Sequence, residues 1–325
     1  MRTGEIVFVR HLGPTDSRLL VVDPDSATLR TLTAETFPCS SPDWSPDGSR
    51  LVVVARGDTD DGMFLGELHL LNADGTDLTR ITHERSVKAR PAWSPGGSEI
   101  VFERGVGTGA SHLYAVGADG SGLRQITGPS VSEAPAPRPI TGERAGWTGY
   151  RPVGEEISAS EMMPTWSPDG SRIAFVRMVR WTSQGPDDPG VGHHLFTVAA
   201  DRTDEQSITA GRVHDLDPSW RPDGSRLVFT RYTDDEWLPH PGRGSGSAVR
   251  LWLVGPDGSG IERLTDEPAH YMDPDWAPDG SAVVCSRSVG GPTHIYRFDV
   301  AGRSGRPITL PDDDGDYEPS WRPAR

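Results

Sequence analysis

Met163-Pro164-Thr165-Trp166-Ser167-Pro168-Asp169-Gly170-Ser171-Arg172-Ile173-Ala174-Phe175-Val176-Arg177 decides the fold, because its pattern returns along the whole chain. Pro-x-Trp recurs six times, at Pro42/Trp44, Pro91/Trp93, Pro164/Trp166, Pro218/Trp220, Pro274/Trp276 and Pro319/Trp321. After five of these Trp residues stands Ser-Pro-Asp-Gly or a near variant, a tight-turn signal, and then an apolar run such as Leu51-Val52-Val53-Val54 or Leu227-Val228-Phe229. A third run follows, as in Leu113-Tyr114-Ala115-Val116, then another Asp/Gly turn and a short fourth run such as Ile126-Thr127. Four strands per unit, repeated radially, is the plan of a β-propeller.

The last copy stops after Trp321, before its second strand. Gly4-Glu5-Ile6-Val7-Phe8-Val9-Arg10 matches Gly170–Arg177 apart from one deleted residue, and Arg18-Leu19-Leu20-Val21-Val22 supplies a third strand. The N-terminal strands are therefore expected to complete the blade that the C-terminal strand begins, leaving no open edge. The expectation is an all-β, six-bladed propeller of four-stranded antiparallel blades, a single domain over residues 1–325.

The repeat resembles that of the TolB-like propeller family, which reads roughly Asp-x-x-Pro-x-Trp-Ser-Pro-Asp-Gly followed by an alternating strand. The resemblance covers essentially the whole chain. It implies the propeller fold, and it admits several functions, since the family includes protein-binding periplasmic propellers, propellers attached to peptidases, and sugar-acid lyases. The sequence contains no Gly-x-Ser-x-Gly nucleophile elbow.

Composition narrows the partners. A net charge of −15 and a pI near 5.0 repel a phosphate backbone or an anionic membrane surface, so no nucleic acid is expected. No apolar stretch reaches the roughly 20 residues of a membrane span, and Met1–Val7 lacks the apolar run of a secretory signal. The expected location is the cytoplasm, or the periplasm or exterior if a leader has been removed. Cys39 and Cys285 make no disulfide framework, and whether they pair is left open.

Antiparallel strands place the first-to-second and third-to-fourth turns of each blade on one face, and the remaining connections on the other. The Trp-to-Trp spacings are 49, 73, 54, 56 and 45 residues. The excess falls in 129–160, 178–193 and 232–248, all on the second face, where long loops favour function. These carry Trp147, Tyr150, Trp181, Tyr232 and Trp237, which either stack on a ligand or partner or pin the loops to the blades.

A residue repeated in every blade serves the fold, so a site on a pseudo-symmetric ring must come from positions where the copies differ. The six Trp residues are thus assigned to packing. Arg10, Arg104, Arg177, Arg231 and Arg287 recur at the end of the second strand, where pairing with carboxylates of neighbouring blades is expected rather than a ligand-binding cationic ring. Three residues before each Trp stand Ser41, Arg90, Met163, Asp217, Asp273 and Glu318; five before stand Cys39, Lys88, Glu161, Asp215, Tyr271 and Asp316. His214 and His270 precede two of these.

Two readings follow. In the first, the chain is a non-catalytic propeller that binds a protein or peptide on the loop-rich face. In the second, it is a lyase, hydrolase or isomerase acting on a small molecule or glycan at the channel mouth. Glu161, Asp215, His214 and His270 would then be acid/base groups or ligands of a divalent metal. Lys88 and Arg90 would hold an anionic group, and Asp217, Asp273 and Glu318 would complete the lining.

Overall fold

The computed structural model describes residues 4–13, 16–33, 37–56, 66–84, 86–105, 110–128, 160–182, 189–232, 248–310 and 315–323. Their regular elements are all strands: β1 (Ile6–His11), β2 (Ser17–Val22), β3 (Leu29–Thr31), β4 (Cys39–Trp44), β5 (Arg50–Arg56), β6 (Gly66–Asn72), β7 (Thr79–Arg80) and β8 (Lys88–Trp93). Then come β9 (Glu99–Gly105), β10 (Ser111–Gly117), β11 (Arg124–Gln125), β12 (Glu161–Trp166), β13 (Arg172–Thr182), β14 (Pro189–Ala199), β15 (Gln206–Ser207) and β16 (His214–Trp220). The remainder are β17 (Leu227–Tyr232), β18 (Arg250–Val254), β19 (Glu262–Arg263), β20 (His270–Trp276), β21 (Ala282–Ser288), β22 (His294–Asp299), β23 (Ser304–Pro307) and β24 (Asp316–Trp321). Among the described residues no helix is long and apolar enough to cross a membrane.

Four separate sheets run β4-β5-β6-β7, β8-β9-β10-β11, β20-β21-β22-β23 and β24-β1-β2-β3. The other strands share one sheet, in which β12–β15 and β16–β19 meet through a single parallel pair, His193↔His214. The inner strands β4, β8, β12, β16, β20 and β24 pack against one another in that order, and β24 returns to β4. The result is an all-β propeller around a channel. Its ring is closed as the sequence suggested, with Ile6 opposite Trp321 and Arg10 opposite Asp316.

The second and third strands read as nearly unbroken apolar runs because both faces are buried. Leu51, Val53 and Ala55 of β5 enter one apolar cluster with β1 and β2, while Val52 and Val54 enter another with β9 and β10. Each repeated Trp inserts between neighbouring strand sets: Trp93 packs with Val52 and Leu70, and Trp166 with Val101 and Leu113. Cys39 and Cys285 are free thiols in separate clusters, and burial raises the Cys39 thiol to about 12.

Two strand limits differ from the sequence reading. The fourth strand ends just before the Ile/Leu-Thr dipeptide rather than on it. The Thr hydroxyl instead accepts the N–H at the start of the third run, from Leu19 to Thr33, Leu68 to Thr82, Leu113 to Thr127, Leu195 to Thr209, Leu251 to Thr265 and Ile295 to Thr309. A side chain thus replaces the last rung of the ladder. Thr265→Val keeps the shape of a buried side chain but strands the Leu251 N–H, so it is expected to lower unfolding free energy by about 1–3 kcal/mol in urea titration.

The second difference is the connection 178–193, read as a loop. It is mostly hairpin: β13 and β14 continue pairing from Met178↔His193 to Thr182↔Pro189. The corresponding pairing of β17 with β18 ends at Arg231↔Arg250. The β-branched Val179 at the start of this stretch favours the extension. Loops 129–160 and 232–248 fall almost entirely outside the described residues, with Trp147, Tyr150 and Trp237. Trp181 lies opposite Gly190, and its side chain is also outside that set.

Candidate functional site

Each inner strand carries a bulge at the residue three before its Trp. Pairing of β16 with β17 jumps from Leu216↔Thr230 to Ser219↔Val228, and the same slip recurs in the other five inner strands. Ser41, Arg90, Met163, Asp217, Asp273 and Glu318 all adopt left-handed backbone, with φ between 48° and 54°. The repeated Pro follows directly, and a bulge on an edge strand tolerates its missing N–H.

This bulge separates two positions that plain alternation would put on one face. The residues three before Trp line a cavity of about 140 Å³, with those one before it, including Asp43, Thr165, Ser219 and Asp275. The residues five before Trp turn into the blade, where Lys88, Glu161, Asp215 and Asp316 are buried.

Lys88 Nζ lies 3.0 Å from Glu67 Oε2 and donates to the Glu84 carbonyl at 2.6 Å, so its charge is neutralised inside the sheet. Burial lowers its pKa. Glu161 Oε1 accepts from Arg177 Nη2 at 2.7 Å, and its Oε2 lies 2.8 Å from His112 Nδ1. Burial pushes this carboxyl up, but the bonds from His112 and Thr127 and the Arg177 charge outweigh it and hold the group below its usual range. Asp215 is fully buried and bidentate with Arg231, at 2.6 and 2.8 Å.

Arg10, Arg177 and Arg231 pair with carboxylates within their own blade, not with the neighbouring one as the sequence suggested, while Arg104 donates to Ser86 Oγ. The bulge turns the inner-strand carboxylate into the sheet, directly opposite its Arg: Glu161↔Arg177, Asp215↔Arg231 and Asp316↔Arg10 are cross-strand partners. These guanidinium groups also cover aromatic rings of their own blades: Arg10 over Phe8, Arg177 over Phe175 and Phe196, and Arg231 over Phe229 and Trp252.

His214 stacks on Tyr232 with centroids 4.6 Å apart, and its Nδ1 lies 2.8 Å from His193 Nδ1. His270 begins the next inner strand opposite Ser288, and burial lowers its pKa. Among the described residues no group of three or more His, Cys, Asp or Glu side chains is arranged to hold a metal ion.

The cavity gathers Arg90, Asp217, Asp273 and Glu318. Arg90 Nη1 donates to Asp273 Oδ1 at 2.8 Å, while Nη2 lies 3.7 Å from Asp217 Oδ1 and 3.8 Å from Glu318 Oε1. Asp273 Oδ2 accepts from Ser286, and Glu318 accepts from the Ser41 backbone N–H at 2.6 Å. Burial, then the nearby Asp273 charge, raises Asp217 to about 7.

Sequence reasoning missed two carboxylates of this cavity. Asp43 Oδ2 accepts the Trp93 N–H and Asp275 Oδ2 the Trp321 N–H, each at 2.7 Å across a blade boundary. Burial raises them to about 7 and about 6. The signal was available: the residue before Trp is Asp in two copies and Ala, Thr or Ser in the others.

Residues 3–138 match the family described as TolB beta propeller domain. The Tol-Pal system protein TolB of Anaeromyxobacter dehalogenans (strain 2CP-C) is 31% identical over 116 residues, 35% of this chain and 21% of that protein. The uncharacterized peptidase YuxL of Bacillus subtilis (strain 168) is 27% identical over 127 residues, 39% of this chain and 17% of that protein. The chain therefore spans only about a fifth of the length of these relatives. The crystal structure of TolB from Acinetobacter baumannii superposes with a TM-score of 0.66 at 17% identity, covering 99% of this chain and 67% of that one. With the repeat and the closed ring, these matches make the chain similar to TolB-like β-propellers.

Proposed function

We propose that this chain is a single-domain, six-bladed, non-catalytic propeller that binds a protein or peptide partner on the face bearing the extended hairpin β13–β14. The count of six treats the two halves of the eight-stranded sheet as separate blades, in keeping with six inner strands around the channel. The observation that carries the reading is the state of the acid/base candidates. Glu161 and Asp215 are buried in ion pairs with Arg177 and Arg231, and Lys88 with Glu67, so none is available to a substrate. The likeness to proteins named for the Tol-Pal system supports partner capture.

The hairpin offers a direct test. Replacing residues 179–192 by Asn-Gly joins Met178 to His193 through a two-residue turn and leaves the blade below intact. In cross-linked pull-downs from the source cells, the wild type is expected to retain a saturable partner, and the shortened variant to lose it with melting unchanged. Equal capture of the same partner by both proteins rejects the hairpin face as the binding surface.

A further inference from the structure

We propose that the channel cavity binds a primary ammonium group, free or on a lysine side chain, with Asp217 as its anchoring carboxylate. The inference rests on the partner-binding reading only for the lysine source.

The charges are unbalanced. Asp217, Asp273 and Glu318 face one guanidinium, and Arg90 makes its single hydrogen bond among them to Asp273. Both oxygens of Asp273 and of Glu318 accept a hydrogen bond. Asp217 Oδ1 accepts none, although it is shielded from bulk solvent in a side chain only 11% exposed, and Arg90 stands beyond hydrogen-bond reach at 3.7 Å. An orphaned buried carboxylate oxygen on a cavity wall calls for a donor that carries positive charge.

The surroundings select the donor. Ser219 gives its proton to Asp275 Oδ1 at 3.0 Å, so its oxygen is left as an acceptor on the same cavity, which Thr165 also lines. An ammonium presents three N–H donors around one compact charge, suited to one carboxylate oxygen and neighbouring hydroxyls. A divalent metal ion would need several oxygens at once, and here all but one of the three carboxylates' channel-facing oxygens are engaged beside a guanidinium. The site thus has the opposite selectivity to the anion pocket that Lys88 and Arg90 suggested from sequence.

The test uses the full chain at about pH 8 with methylammonium chloride exchanged for sodium chloride at constant ionic strength. Methylammonium is expected to raise the melting temperature saturably. Tetramethylammonium, which has the charge but no N–H, is expected to do nothing beyond sodium. Asp217→Asn should keep or raise its own melting temperature and bind methylammonium at least about tenfold more weakly. Equal responses to all three salts, or undiminished binding by Asp217→Asn, overturn the proposal.

Acetyl-Gly-Lys-Gly-amide, compared with its norleucine analogue, separates the sources. Tighter binding than methylammonium assigns the site to a partner's lysine, and equal or weaker binding assigns it to a free amine. The hairpin-shortened variant keeps the cavity and must keep the methylammonium response. Failure of the amine test therefore leaves partner capture standing, and failure of capture leaves the amine site standing.

Discussion

Replacing Arg90 with methionine is expected to lower the unfolding free energy by about 3–5 kcal/mol, the usual result of removing one partner from a buried ionic group. Methionine at this position is sterically precedented, since Met163 holds the matching place on β12 with the same left-handed backbone. Volume and strain therefore change little, and the loss comes from charge. Without the guanidinium, Asp217, Asp273 and Glu318 face one another across the channel with no compensating cation. The folded protein can relieve this only by taking up protons, so the loss should be larger at about pH 8 than at about pH 5. Adding Asp273→Asn to Arg90→Met should recover part of it, a non-additivity that urea titration of the two single variants and the double variant measures directly. Additive effects would mean that the channel carboxylates do not interact through Arg90.

Asp217→Asn is expected to act in the opposite direction. In the folded chain Asp217 titrates at about 7, against about 3.9 in an unfolded chain. Between those values the folded state holds a proton that the unfolded state has released, so this group makes stability fall as pH rises through that window and level off above it. The asparagine variant removes that slope. It should be more stable than the wild type by about 2–4 kcal/mol above neutrality and nearly equal to it below about pH 4. Asp43 and Asp275, raised to about 7 and about 6, contribute slopes of the same sign and keep part of the pH dependence in the variant. Asp47 works the other way. Hydrogen bonds from Ser45 and Ser49 hold it at about 2, so its contribution is present above about 4 and is lost as the solution is acidified through 2. Urea midpoints of wild type and variant across this range check the sign, and parallel curves would remove Asp217 as the titrating group.

Repetition made the fold legible. Six Trp residues at related positions announce six inner strands, and the likeness of Gly4–Arg10 to Gly170–Arg177 announces the pairing of β1 with β24. The cavity was half legible. Variation between copies marks Arg90, Asp217, Asp273 and Glu318, and it marks Asp43 and Asp275 in the same way two residues later. Plain alternation places residues two apart on one face and so puts Lys88, Glu161 and Asp215 on the cavity. The bulge breaks that rule, and its only sign in the sequence is the Pro fixed two residues before every Trp. The repeat ends at Arg177 and so reads as a loop beyond it, while the strand itself continues to Thr182.

The pairing of β1 with β24 also orders events during synthesis. Residues 6–11 leave the ribosome first among the described strands, and their partner, residues 316–321, leaves last. Until then the edge of β1 that will receive β24 presents unpaired backbone groups, a template for joining another chain. Every nascent or C-terminally truncated product that lacks Asp316–Trp321 shares this exposed edge, so edge-to-edge joining of incomplete chains is a hazard built into this architecture.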